Sequence, residues 1–164
     1  DMKIKFKEYQ KNDFKDLDHC MVQLQDFIVK IDPLKRLRRA PKYSPRYSEN
    51  ILEKVAKYDG VIFLVYDDKK IVGCGVGIIE EQSEKNLLEC VPTRAGRVVE
   101  LFVSSKYRNL GIGKKLMSKM ENYMRKKKCD VIRVEVFEPN KTAHNFYRKF
   151  DFQDRVIDMI KLLK

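Results

Sequence analysis

Apolar and charged residues alternate from Lys3 to Tyr9, with Ile4 and Phe6 on one side, a pattern that predicts an opening strand. Leu17, Cys20, Met21, Leu24, Phe27 and Ile28 then recur at steps of three and four, the period of one helix face, and Asn12 or Asp13 stands where a cap belongs. Residues 32–47 lose any period; they hold three of the five prolines and the basic cluster Lys35-Arg36-Leu37-Arg38-Arg39, and are predicted irregular. A second helix is predicted from Ser48 to about Tyr58, where Asp59-Gly60 ends it. Val61–Tyr66 and Ile71 to about Ile79 read as strands joined by the tight turn Asp67-Asp68-Lys69-Lys70, a hairpin. Gly73-Cys74-Gly75-Val76-Gly77 lies inside the second of them and opens no helix, so it predicts a bulge or a close backbone approach.

The polar stretch 80–96 has no clear period and reads as a long loop. Val98–Val103 is the next predicted strand, and Ile112, Leu116, Met120, Tyr123 and Met124 place a helix from about Gly111 to Lys127. Val131–Phe137 is predicted extended, Thr142–Phe150 helical, and Phe152–Leu163 strand-like. Strand–helix–strand with short links favours a parallel pair and a right-handed crossover, whereas the early hairpin is antiparallel. The expected architecture is α/β (α+β): a mixed sheet with helices on both faces, in one domain spanning residues 1–164.

Composition changes this picture little. With 43% apolar residues among 164, a real core is expected. No apolar run approaches the roughly 18 residues of a membrane span, and the N-terminus lacks the apolar stretch of a secretory signal, so no membrane partner is expected. The four cysteines at 20, 74, 90 and 129 show no metal-binding spacing and read as reduced core hydrophobes of a cytoplasmic protein.

Charge changes it more. The net charge of +11 is concentrated: residues 106–128 hold nine Lys/Arg against Glu121, and residues 30–46 hold seven against Asp32. Such fields suit a polyanion, either nucleic acid or a phosphorylated cofactor. No nucleic-acid-binding signature accompanies them, so nucleic acid is not the expected partner.

The stretch Val98-Val99-Glu100-Leu101-Phe102-Val103-Ser104-Ser105-Lys106-Tyr107-Arg108-Asn109-Leu110-Gly111-Ile112-Gly113-Lys114-Lys115 carries the chemistry. A strand feeds a loop, and the loop feeds a helix with two glycines in its first turn. The first four N–H groups of a helix have no internal acceptor, and the helix dipole puts partial positive charge there. Glycine leaves those groups approachable, and Arg108, Lys114 and Lys115 add formal charge, which suits a pyrophosphate. The Walker and dinucleotide-binding spacings are both absent. A tight loop-to-helix turn without a ligand is the structural alternative.

Arg108-Asn109-Leu110-Gly111-Ile112-Gly113 matches the R/Q-x-x-G-x-G/A signature of the GNAT superfamily of N-acetyltransferases. Asn140-Lys141-Thr142-Ala143-His144-Asn145-Phe146-Tyr147-Arg148-Lys149-Phe150-Asp151-Phe152 resembles that family's second motif, N-x-x-A-x-x-F-Y-x-x-x-G-F. Asp151 replaces the usual Gly, at a position expected to need positive φ, which Asp tolerates. The resemblance implies a mostly antiparallel sheet with one splayed parallel pair, acetyl-CoA as cofactor and an amine as acceptor. It implies pantetheine pairing along Leu101, Phe102 and Val103. The pyrophosphate would lie on Arg108, Asn109, Leu110, Gly111, Ile112, Gly113 and Lys114, with Asn140 and Asn145 near the cofactor arm. Tyr147 would be the general acid beside the sulfur, with a core aromatic as the plain alternative. Glu100, a carboxylate in an apolar strand, is the candidate base; an ordinary structural acid is its alternative. His144 falls at a variable family position and reads as a surface residue, His19 as structural. Glu80, Glu81 and Glu84 read as a solvated loop or as a lure for a cationic amine. Relatives in that superfamily include homodimers, but no residue here decides the matter. A non-catalytic acyl-CoA-binding module on the same fold is the other functional reading.

Overall fold

The computed structural model describes residues 2–163. Chain order is β1 (Ile4–Glu8), α1 (Phe14–Ile31), α2 (Tyr43–Lys57), β2 (Val61–Asp67), β3 (Lys70–Glu80), α3 (Glu84–Glu89), β4 (Ala95–Val103), α4 (Ile112–Lys126), β5 (Val131–Val134) and α5 (Lys141–Arg148). The strands lie side by side in sequence order, antiparallel from β1 to β4, with β4 and β5 parallel across the α4 crossover. The hairpin turn is the two residues Asp68-Lys69, and Asp68 sits at φ 53°, the left-handed conformation such tight turns demand.

Alternation along the strands sends side chains into two separate cores. One, against α4 and α5, gathers Val65, Val72, Val98, Leu116, Met117, Met120 and Tyr147. The other, against α1 and α2, gathers Leu17, Met21, Ile51, Leu64, Cys74, Val76 and Phe102. The β3 glycines serve the first core. A Cβ on Gly75 or Gly77 would stand 3.2 or 3.0 Å from the Cε of Met120 or Met124, so α4 methionines settle directly on the sheet backbone. The bulge expected in this region forms beside Gly77.

Several expectations are corrected. Helix α2 starts at Tyr43, inside the stretch predicted irregular. Ser44 has extended φ/ψ and Pro45 follows as the first residue of the regular helix, so the proline starts the helix instead of breaking it. The loop predicted over 80–96 contains the short α3, capped by the Ser83 side chain accepting from the Asn86 N–H. Strand β4 begins at Ala95 and β5 stops at Val134, short of Phe137. Residues 152–163 form no strand; no edge among the described residues pairs with them. Cys20 and Cys74 are buried as expected, but Cys90 is exposed and Cys129 half-buried; all four are free thiols.

Leu116 is inaccessible to solvent at the centre of the first core. Leu116→Ala is expected to cost about 2–5 kcal/mol by leaving a cavity, read from urea denaturation; a loss below about 1 kcal/mol would show that the α4 face is not close-packed.

Candidate active site

Strand β4 has a partner on each side for only half its length. It pairs with β5 from Ala95 to Val98, and β5 then ends, whereas β4 continues to Val103. On the β3 side the register skips Val99: Val98 stands opposite Gly77 and Glu100 opposite Val76. That bulge bends β4 where the parallel pairing stops, so the two strands part. It also re-aims side chains: Val98 and Leu101 pack towards α4, while Val99 and Phe102 pack towards α1 and α2. Glu100 joins the latter set.

Glu100 accepts a hydrogen bond from the Tyr47 hydroxyl of α2. The Tyr47 ring stacks on Tyr43 at 4.7 Å and 11°. Helix α2 is tied to α1 beneath this pair: Asp18 accepts from the hydroxyls of Ser44 and Ser48, the latter at 2.7 Å, and the Tyr43 hydroxyl donates to the Met21 carbonyl at 3.3 Å. Burial lifts the Glu100 carboxyl above its ordinary range, opposed in part by the Tyr47 hydrogen bond and the Lys54 charge. Burial raises the Tyr47 phenol as well, and the Glu100 charge adds to the shift.

A cavity of about 440 Å³ is lined by Lys54, whose charge reaches Glu100, and by Tyr58, Glu80, Glu81, Arg97 and Glu135, among others. Glu80 is clamped by Arg97 and lies 3.8 Å from Arg133, so it is fixed by an ion cluster; Glu81 lines the cavity, and Glu84 opens α3.

Past β4 the chain turns into the loop that precedes α4. The Arg108 Nε donates to the Val103 carbonyl at 3.0 Å, and its guanidinium lies 5.0 Å over the Phe27 ring. Asn109 and Gly111 take positive φ, 62° and 79°. A Cβ on Gly111 would meet nothing within 4 Å, so the glycine is there for its backbone conformation and not for space. The first helical bond joins the Lys115 N–H to the Gly111 carbonyl at 3.0 Å. The amides of Ile112, Gly113 and Lys114 therefore have no helical acceptor. Lys114 is exposed beside them, Leu110 is exposed, and Ile112 is buried in the core. Lys115 turns away, over the Phe6 ring. Gly113 packs against Phe146 of α5, which brings the second motif to the start of α4.

On α5, Tyr147 is only 7% exposed, in edge-on contact with Phe146 and Phe152. Burial raises its phenol, and the Glu100 charge acts in the same direction, so carboxylate and phenol lie within electrostatic reach. One belongs to the α1/α2 side of the sheet and the other to the α4/α5 side, and the parting of β4 from β5 opens between the two layers. Asn140 is the N-cap of α5, accepting from the Ala143 N–H at 3.2 Å. Asn145 is exposed, about 200° around the helix from Tyr147. Asp151 takes φ 62°, as expected where a glycine is usual. His144 is bonded to Asp154 on the outer side of α5, and His19 to Gln23 at 2.9 Å.

Of the predicted residues, Glu100 and Tyr147 lie within electrostatic reach of each other and Gly113 meets α5 through Phe146, whereas Ile112 is buried in the core and Asn145 faces outward. Tyr43, Tyr47, Lys54, Arg97 and Glu135 escape sequence reading. The four-residue steps Tyr43, Tyr47, Ile51 continue the α2 period back through Pro45, and that is the signal that could reveal the tyrosines.

Residues 28–152 match the Acetyltransferase (GNAT) family. The chain is 25% identical, over 76% of its length and 73% of the relative's, to an uncharacterized N-acetyltransferase of Methanocaldococcus jannaschii. Among solved structures, a mutant form of the BH1408 protein from Bacillus halodurans superposes with a TM-score of 0.84 at 17% identity, covering 98% of this chain and 99% of that one. The aminoglycoside N-acetyltransferase AAC(6')-Iy in complex with CoA superposes with a TM-score of 0.73 at 16% identity, covering 98% and 96%. Those two likenesses show a shared fold. With the family match covering both glycine-loop and tyrosine motifs, the chain belongs to the acetyltransferase (GNAT) family.

Proposed function

We propose that this protein moves the acetyl group of acetyl-CoA onto a primary amine by direct attack within a ternary complex. The observation that carries the reading is the unpaired half of β4, flanked by Glu100 on one face and Tyr147 on the other, and leading into the free amides of α4. The residues fit coenzyme A. Three helix-start amides, Gly111 in a left-handed turn and the exposed Lys114 suit a pyrophosphate, and the open backbone of Val99–Val103 suits the amides of pantetheine. Arg108 already occupies the Val103 carbonyl, so backbone pairing falls on Leu101. Asn140 acts by holding the start of α5, and Asn145 is free to reach the cofactor arm from outside.

Acetyl-CoA supplies an activated acyl carbon and a thiolate leaving group. Glu100, lifted by burial, takes the proton that the attacking amine loses. Tyr147, held protonated by burial and by the Glu100 charge, gives a proton to the departing sulfur. Tyr47 keeps the Glu100 carboxylate aimed. The cavity lined by Lys54 admits the acceptor, and its glutamates favour a cationic amine close to the carboxylate.

Incubation with acetyl-CoA and a panel of amines is expected to release free thiol, and acetyl-CoA at about 100 times its Kd is expected to stabilise the fold by about 2.7 kcal/mol. The absence of both turnover and a thermal shift would end the proposal. Tyr147→Phe is expected to lower kcat about 100-fold while cofactor affinity holds.

Glu100 yields a paired prediction. A carboxyl whose folded-state pKa lies above its ordinary 4.5 adds stability below that pH, and the stability drains away as pH rises through the folded value. Glutamine carries no charge to desolvate. Glu100→Gln is therefore expected to gain stability relative to the parent as pH rises above the ordinary value of 4.5, by urea denaturation, while its rate falls about 100-fold or more. A pH-independent stability difference would contradict the burial argument.

A further inference from the structure

The segment between α1 and α2 is strongly basic and yet tied down. Asp32, only 3% exposed, accepts from the N–H groups of Leu34, Arg36 and Leu37 at 3.0, 2.6 and 2.8 Å, which closes residues 32–37 into a turn. The Gln25 side chain donates to the Arg38 carbonyl at 2.9 Å, and Arg39 forks onto Asp26, so the segment is fastened to α1 as far as Arg39. These contacts occupy the acids at hand. Asp26 holds Arg39, Asp32 holds backbone, and Glu49 and Glu53 face Arg46. Lys30, Lys35, Arg36, Arg38 and Lys42 are exposed, and none of them forms an ion pair among the described residues. Five like charges held within residues 30–42 repel one another, a cost that an anionic partner removes. The segment also borders the proposed site. Phe27, one turn before the end of α1, carries the Arg108 guanidinium 5.0 Å over its ring, and Arg108 belongs to the loop before α4. At the other end, Lys42 leads into Tyr43, whose ring stacks on Tyr47, the partner of Glu100. Lys54 and Tyr58 reach the cavity from the far end of α2, where Glu81 and Glu135 line it. Along α2, the Glu100 contact at Tyr47 thus falls between a basic rim and a cavity with free glutamates.

We propose that the acceptor is an acidic polypeptide: its primary amine enters beside Glu100, and carboxylates flanking that amine lie on Lys35, Arg36 and Arg38. This acceptor presupposes the acetyl transfer proposed above. In that step the amide C–N bond forms as the thioester C–S bond breaks, Glu100 takes the proton that the amine loses, and Tyr147 supplies one to the sulfur. Tyr47 follows Arg38 by nine positions, the last of them helical. The two therefore lie within about 27 Å, so the acids belong within about eight extended residues of the amine. Nucleic acid suits the same charge less well. Its base amines are conjugated and weakly nucleophilic, and Leu34 and Leu37, 41% and 37% exposed among the basic side chains, offer apolar contact to other side chains and nothing to a phosphate.

The test compares lysine-free peptides whose free N-terminus is their only primary amine and is followed by a run of Glu, Gln or Arg, with ethanolamine as an acceptor that has no flanks. Free-thiol release gives kcat/KM, and anisotropy of the peptides dye-labelled at the C-terminus gives binding without turnover. The Glu peptide is expected to exceed the Gln peptide about tenfold in kcat/KM at low salt, with the Arg peptide slowest, and the margin to shrink above about 0.3 M salt. Arg36→Glu with Arg38→Glu changes exposed side chains, so it is expected to leave ethanolamine turnover and the acetyl-CoA thermal shift as they are while abolishing the margin. Lys11→Glu with Lys15→Glu makes the same change of charge at the opposite end of α1, about 24 Å along the helix, and is expected to keep the margin. Equal rates and affinities for the three peptides, or a margin lost equally in both variants, would overturn the acidic acceptor while leaving acetyl transfer standing. A short single-stranded RNA that binds the parent more tightly than the Glu peptide, and loses that binding in the arginine variant, would also overturn it by giving the surface to nucleic acid. Turnover of no amine at all, ethanolamine included, would instead end the acetyl-transfer reading, and the acceptor with it.

Discussion

A peptide edge left without a ladder partner inside a fold is a liability, because every unpaired N–H and C=O seeks an acceptor or donor. The structure is organised around one such edge, the second half of β4. A strand of nine residues is matched on its β5 side by one of four, and a bulge at Val99 turns the longer strand away just as the shorter one stops. What remains is a slot with backbone polarity along one wall and access from both layers of helices. The α4 crossover delivers its free amides to the mouth of that slot, since the same strand that is left unpaired feeds the loop before the helix.

The placement of Glu100 shows why such a site must be held from outside. A carboxylate that is mostly buried destabilises its ionised form, and without a partner it would neutralise or swing to solvent. Tyr47 prevents this from α2, and α2 is itself pinned to α1 through Asp18. A strained preference of one acid is thus borne by two helices that otherwise only cover the sheet, in the manner of functional sites that cost local stability.

Much of this is legible in the chain. The two glycines of the α4 turn, the β4 strand before them and the tyrosine on α5 are local patterns, and local patterns survive without knowledge of neighbours. The α2 start is not legible in the same way, because a proline reads as a breaker although Ser44-Pro45 is also how a helix begins. The Tyr47–Glu100 contact joins residues 53 apart, and no periodicity records a pairing of that range. The early end of β5 is hidden for a similar reason: Glu135 to Phe137 can extend, but the bulge in β4 takes away the partner that would make them a strand. The closing segment has strand-like composition, yet residues 152–163 pair with no edge among the described residues.

The carboxylate and the phenol reach the same gap from opposite layers, one governed by the α1–α2 pair and the other by α4 and α5. Under the proposed function, donor handling and acceptor choice fall on separately packed halves. Under that reading, changes to the α1–α2 wall that spare Tyr47 need not disturb the α4–α5 packing, so the choice of amine can drift while the half that holds the acyl carrier keeps its shape.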